Sequence, residues 1–96
     1  MTKRRQQVRD PQITFRKLGK EKPSHASGCK TPFGVCWKGT GKIHIDPRQD
    51  EEEMLDTIVH ELVHDVQPFL TEDAVDNIGI FISKALWKQG YRRIRQ

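Results

Sequence analysis

Residues 50–66 read DEEEMLDTIVHELVHDV and carry the clearest periodicity in the chain. Met54, Leu55, Ile58, Val59, Leu62 and Val66 recur at helical intervals, the pattern of one broad apolar face. Asp50 can cap such a helix, and Glu51, Glu52 and Glu53 suit the positive end of its dipole. Pro68 stands where the helix must stop. The spacing predicts a helix over 51–66.

Within it, His60-Glu61-Leu62-Val63-His64 reads H-E-x-x-H. Residues four apart lie on one helical face, so the two imidazoles stand side by side at the edge of the apolar surface. That spacing suits one Zn²⁺ bound through ring nitrogen. Glu61 follows the first imidazole directly and can reach a water at the metal. Two ligands and a base form the core of a metal-dependent hydrolase. The plainer alternative is a pair of surface histidines on an amphipathic helix.

A catalytic zinc takes three protein ligands. No histidine follows His64, so a carboxylate must complete the set. Thr71 can cap a second helix over about 72–89, with Gly90 beyond its end. Its apolar stripe is Val75, Ile78, Ile82, Ala85 and Leu86. At about 100° per residue, Glu72 lies beside the stripe, Asp76 roughly 40° further round and Asp73 roughly 100° further. Glu72 is the first candidate and Asp76 the second. Gly79 lies on the same side and would let the helices approach closely. Asp65, next to His64, points elsewhere and reads as a solvated carboxylate rather than a support for the ligands.

Upstream, residues 12–18 alternate as a strand and residues 19–31 read as a loop. Residues 33–38 and 42–46 flank Gly39-Thr40-Gly41, a hairpin with a three-residue loop. In that register Cys36 faces His44, while Val35, Trp37, Ile43 and Ile45 share the other face. The pairing raises a competing constellation, His25, Cys29, Cys36 and His44, which would hold a second, structural zinc. It lacks a C-x-x-C knuckle, and the alternative is two free cysteines. His44 is also a candidate to stabilise an oxyanion if the hairpin overhangs the cleft. Tyr91, far along the second helix, reads as a packing residue.

With 96 residues, 34% hydrophobic, and a mean hydropathy of −0.75, residues 1–96 suggest one small domain with a thin core. Residues 1–10 read as a flexible basic arm. No stretch is long and apolar enough to span a membrane, and no hydrophobic segment follows the basic start. Two cysteines make no disulfide framework. These features point to a cytoplasmic protein without a membrane partner. The net charge of +4 is segmented. Residues 1–49 and 84–96 are basic; residues 50–83 hold ten Asp or Glu and no Lys or Arg. The acidic block surrounds the H-E-x-x-H motif, and the basic ends are candidates for nucleic-acid contact.

His60-Glu61-x-x-His64 with a glutamate on the following helix resembles the gluzincin class of zinc metallopeptidases. The chain is similar to minimal single-domain versions and to small phage- and bacterium-encoded H-E-x-x-H proteins, over roughly residues 33–93. The resemblance implies an α+β zincin-like fold, a short antiparallel sheet or hairpin packed on the motif helix. It implies one Zn²⁺ on His60, His64 and Glu72, with Glu61 as general base. It also implies hydrolysis of a peptide or protein substrate lying along an edge strand, for which the hairpin around Gly39-Thr40-Gly41 is the candidate. If the chain is virus-encoded, the host cytoplasm is its place of action. A metal-stabilised, non-catalytic interaction or nucleic-acid-binding module is the alternative. In gluzincins the glutamate often stands further from the motif than the seven residues between His64 and Glu72, so the connecting turn must be tight.

Overall fold

The motif helix forms over Glu51–Val66 and is called α1. Asp50 caps it, its side chain accepting a hydrogen bond from Glu53 N at 2.8 Å. The second helix, α2, spans Glu72–Lys88 and starts at Thr71, whose hydroxyl accepts from Ala74 N at 3.1 Å. Only residues 67–71 join the two, so the helices fold back on each other as a tight hairpin. The computed structural model describes residues 10–19, 28–31 and 33–94, and the basic arm over 1–9 lies outside them.

Four short strands precede the helices: β1 (Gln12–Phe15), β2 (Gly28–Thr31), β3 (Gly34–Trp37) and β4 (Lys42–Ile45). They form one mixed sheet in the order β1-β4-β3-β2. The β2-β3 and β3-β4 pairs are antiparallel, while β1 runs parallel to β4. The architecture is α+β, with α1 lying across β3 and β4 and α2 packed on α1.

The hairpin register differs from the expected one. Trp37 pairs with Lys42, Cys36 with Ile43, Val35 with His44 and Gly34 with Ile45, so the turn holds four residues, 38–41. Gly39 and Gly41, at φ of 82° and 80°, supply the left-handed backbone that this turn needs. A one-residue slip exchanges the two faces of a strand. Cys36, Ile43 and Ile45 therefore turn to α1 and bury with Met54, while Val35, Trp37 and His44 turn away. Fully burying Ile43 and Ile45 contributes about 1.5–3 kcal/mol each. The anchor of this register is Asp65. It is buried, and its Oδ1 accepts backbone N–H bonds from Thr40 at 3.0 Å and Gly41 at 2.8 Å. It is a staple between helix and turn, not the solvated carboxylate expected.

Three further expectations change. Residues 28–31 form a strand inside the segment read as a loop, because Gly-Cys-Lys-Thr carries no apolar alternation to announce it. The hairpin is interior to the sheet rather than at its edge, since β1 and β2 flank it. Val66 is exposed, and α2 does not pack on its full apolar stripe: Val75, Gly79 and Ser83 are buried, while Ile78, Ile82 and Ala85 stay at the surface. The line of contact is rotated toward Glu72 and Asp76.

A second carboxylate fixes the end of β4. Asp46 is buried and accepts from Leu18 N at 3.0 Å and from the Arg48 guanidinium at 2.6 Å. The Arg48 hydrogen bond, aided by backbone N–H donors and opposed by burial, holds the Asp46 carboxyl well below the usual carboxylate range.

Candidate metal centre

The rotation of α2 decides what faces the H-E-x-x-H motif. Gly79 packs on the His60 backbone, where an added Cβ would stand 3.6 Å from His60 Cα. This is ordinary contact distance, so alanine would fit there and nothing much larger would. With that line of contact, one and two helical turns toward the start of α2 bring Asp76 and Glu72 over the histidines. His60 and His64 are buried, at 8% and 1% exposure, inside an apolar helix pair.

Four donor atoms converge. His60 Nε2 and His64 Nε2 lie 3.1 Å apart. Glu72 Oε1 stands 3.3 Å from His60 Nε2, and Glu72 Oε2 stands 2.9 Å from His64 Nε2. One ligand atom from each of His60, His64 and Glu72 falls within 4.8 Å of the others, so the group could hold a metal ion. Two ring nitrogens at this separation need a proton or a cation between their lone pairs. A tetrahedral zinc with bonds of about 2.0–2.1 Å sets its donors about 3.3 Å apart, and the observed triangle is close to that size. The donor set, two imidazoles and a carboxylate, is one that zinc accepts. Residues present and ion fit.

Asp76 takes a different place from Glu72. Its Oδ1 lies 3.1 Å from His60 Nδ1, on the far side of the ring from the converging nitrogens. A carboxylate there fixes the ring orientation and leaves Nε2 as the lone-pair donor. His64 Nδ1 has no hydrogen-bond partner among the described residues, so that ring is held by burial and by the contacts of its Nε2 side.

Glu61 is fully buried, on the side of α1 that faces β3. Its neighbour there is Gly34: a Cβ at that position would stand 2.8 Å from Glu61 Oε2 and 2.8 Å from Thr57 Cγ2. Only glycine leaves room for this carboxylate. Gly34 is thus part of the site, and sequence reasoning missed it because the expected three-residue loop shifted the pairing of β3 with β4 by one residue. The register that places it depends on Asp65.

The other candidates lie elsewhere. His44 stacks edge-on against Trp37, ring centroids 5.1 Å apart, on the sheet face away from the helices. It does not overhang the motif. Cys36 is buried on the sheet face opposite to His44, so these two cannot share an ion as the expected register had them. His25 lies outside the described residues. The backbone pairing sets Cys29 opposite Cys36. Tyr91 follows α2 and is exposed, so it is not the packing residue expected. Among the described residues no helix is long and apolar enough to cross a membrane. Comparison of the chain with protein-family models, with curated proteins and with solved structures finds no match.

Proposed function

We propose that this chain is a zinc-dependent peptidase of zincin-like, gluzincin-like build, with Glu61 as its general base. The observation that carries the reading is the triangle of His60, His64 and Glu72 with the buried Glu61 directly after its first member. A purely structural ion needs no glutamate at that position, and a peptidase does.

His60 and His64 would hold one zinc through Nε2, and Glu72 through its carboxylate. When bound, the ion supplies Lewis acidity, which lowers the pKa of a water toward about 7 and polarises a carbonyl. Glu61 takes a proton from the attacking water and returns it to the leaving amine. Asp76 keeps His60 oriented. Gly34 lets the Glu61 carboxylate lie between helix and sheet. The substrate strand, expected at the β3-β4 hairpin, is reassigned to β2, the sheet edge next to the strand carrying Gly34. An extended peptide would add there by main-chain hydrogen bonds.

The test is cleavage of an unfolded protein substrate by zinc-loaded chain, with metal content measured beside it. Glu61→Gln should keep the metal and lose the cleavage. Equal cleavage by wild type and Glu61→Gln would remove the peptidase reading and leave a metal-stabilised interaction module, including the one in which the basic ends contact nucleic acid.

A further inference from the structure

The metal site occupies one side of the helix pair; the other side is apolar and open. Val63, Val66, Leu70, Ile78, Ile82 and Leu86 line a groove of about 480 Å³ between α1 and α2. Beside it, Phe69 is 98% exposed and Phe81 78% exposed. Ile78 of the groove and Phe81 lie three residues apart on α2, neighbours on its surface, so the groove adjoins an exposed aromatic.

The occupant is indicated by the pattern along α2. Ala74, Ile78, Phe81 and Ala85 recur at intervals of four, three and four, the repeat of a helix seam. The seam lies on the flank of α2 away from the buried Val75, Gly79 and Ser83. Charge along that flank is polar in sign: Asp73 stands near the start of the helix, Lys84 and Lys88 near its end. Two copies of α2 crossing antiparallel near residue 80 set Asp73 of each beside Lys84 and Lys88 of the other. In an antiparallel pair the same flanks meet, so the charges match at both ends, and the helix dipoles oppose favourably. A parallel pair would put both Asp73 residues at one end and the lysines at the other, with no acid–base match. A 17-residue helix is about 26 Å long.

We propose that the chain forms a two-fold dimer through antiparallel pairing of α2, with Ile78 and Phe81 at its centre. Glu72 and Asp76 point to the other side of the helix, so the metal sites stay outside the contact, and the proposal does not depend on the peptidase reading.

The experiment is the mass of the full chain in solution, by sedimentation or light scattering, over protein concentrations from about 1 to 200 μM. Wild type should move to twice the 11.2 kDa chain mass within that range. Phe81→Asp should remain at 11.2 kDa throughout, with an unchanged circular dichroism spectrum and unchanged zinc binding. Asp73→Lys should raise the dissociation constant about tenfold, and adding Lys84→Glu and Lys88→Glu should restore most of it. A wild type that stays at one chain mass overturns the proposal, as the apolar face is then covered by the chain itself or by another partner. A Phe81→Asp variant that stays dimeric places the contact on another face and overturns it equally. Failure of the charge reversal to restore association contradicts the antiparallel orientation.

Discussion

Two sets of acidic side chains hold this molecule together, and they differ in what faces them. At the sheet ends, Asp46 and Asp65 meet backbone N–H groups and a guanidinium. Those donors are permanent, and the carboxylates need nothing further. Between the helices, Glu72 and Asp76 meet imidazoles. Imidazole nitrogens donate or accept according to where the proton lies, and here two of them converge at 3.1 Å. The first arrangement is complete as folded; the second is one that could hold a metal ion. The two sets differ in burial as well as in partner: Asp46 and Asp65 are buried, whereas Glu72 and Asp76 are more than half exposed.

This contrast can be broken from the functional side most sharply. Glu61→Gln keeps shape and hydrogen-bonding capacity but loses the base. Peptide cleavage should fall about 10²–10⁴-fold with zinc content unchanged, measured on the same sample. A parallel loss of metal would show Glu61 to be part of the binding set instead. From the structural side, Asp65→Ala strips the acceptor from Thr40 N and Gly41 N. Urea unfolding should show a loss of about 2–4 kcal/mol, with the remaining folded protein still binding zinc. Asp76→Asn stands between the two classes. It should weaken zinc binding about 10–100-fold in competition with a chelator, with little change in the apo stability.

Gly34→Ala sharpens the boundary between sheet and site. The new Cβ collides with Glu61 and Thr57, so stability should drop by about 1–3 kcal/mol and cleavage should fall more than zinc affinity does. The smallest effect belongs to Asp46. Its carboxyl titrates below the usual carboxylate range in the folded chain. Its contribution is therefore fully present above the ordinary value of about 3.9 and is lost as pH falls through and below it. The urea midpoint of wild type should decline on acidification from about pH 5 to pH 3, and Asp46→Asn should start lower and decline less.

The helices were legible because their signals are local. Asp50 and Thr71 announce their starts, and the 3.6-residue period of Met54 through Leu62 sets a face. His60, His64 and Glu72 could be placed beside one another from helix phase and a short connection. What the sequence withheld is long-range. The parallel pairing of β1 with β4 joins segments thirty residues apart, and no turn encodes it. The four-residue turn depends on Asp65, which lies 24 residues beyond Gly41. That single register carries Gly34 under Glu61 and sends His44 to the opposite face. The packing line of α2 was also hidden. Gly79 and Ser83 are small enough to bring helices close, and closeness outweighed the apolar stripe. The same choice left Ile78 and Phe81 at the surface.

The central claim is that His60, His64 and Glu72 bind one zinc ion. The most direct measurement is the zinc content of the 96-residue chain after equilibration with zinc and removal of excess, for wild type, His64→Ala and Glu72→Ala. The account predicts one ion per chain in wild type and none retained in His64→Ala, with Glu72→Ala weakened by more than about a hundredfold. A wild type that retains no zinc, or a His64→Ala chain that retains as much, would contradict it.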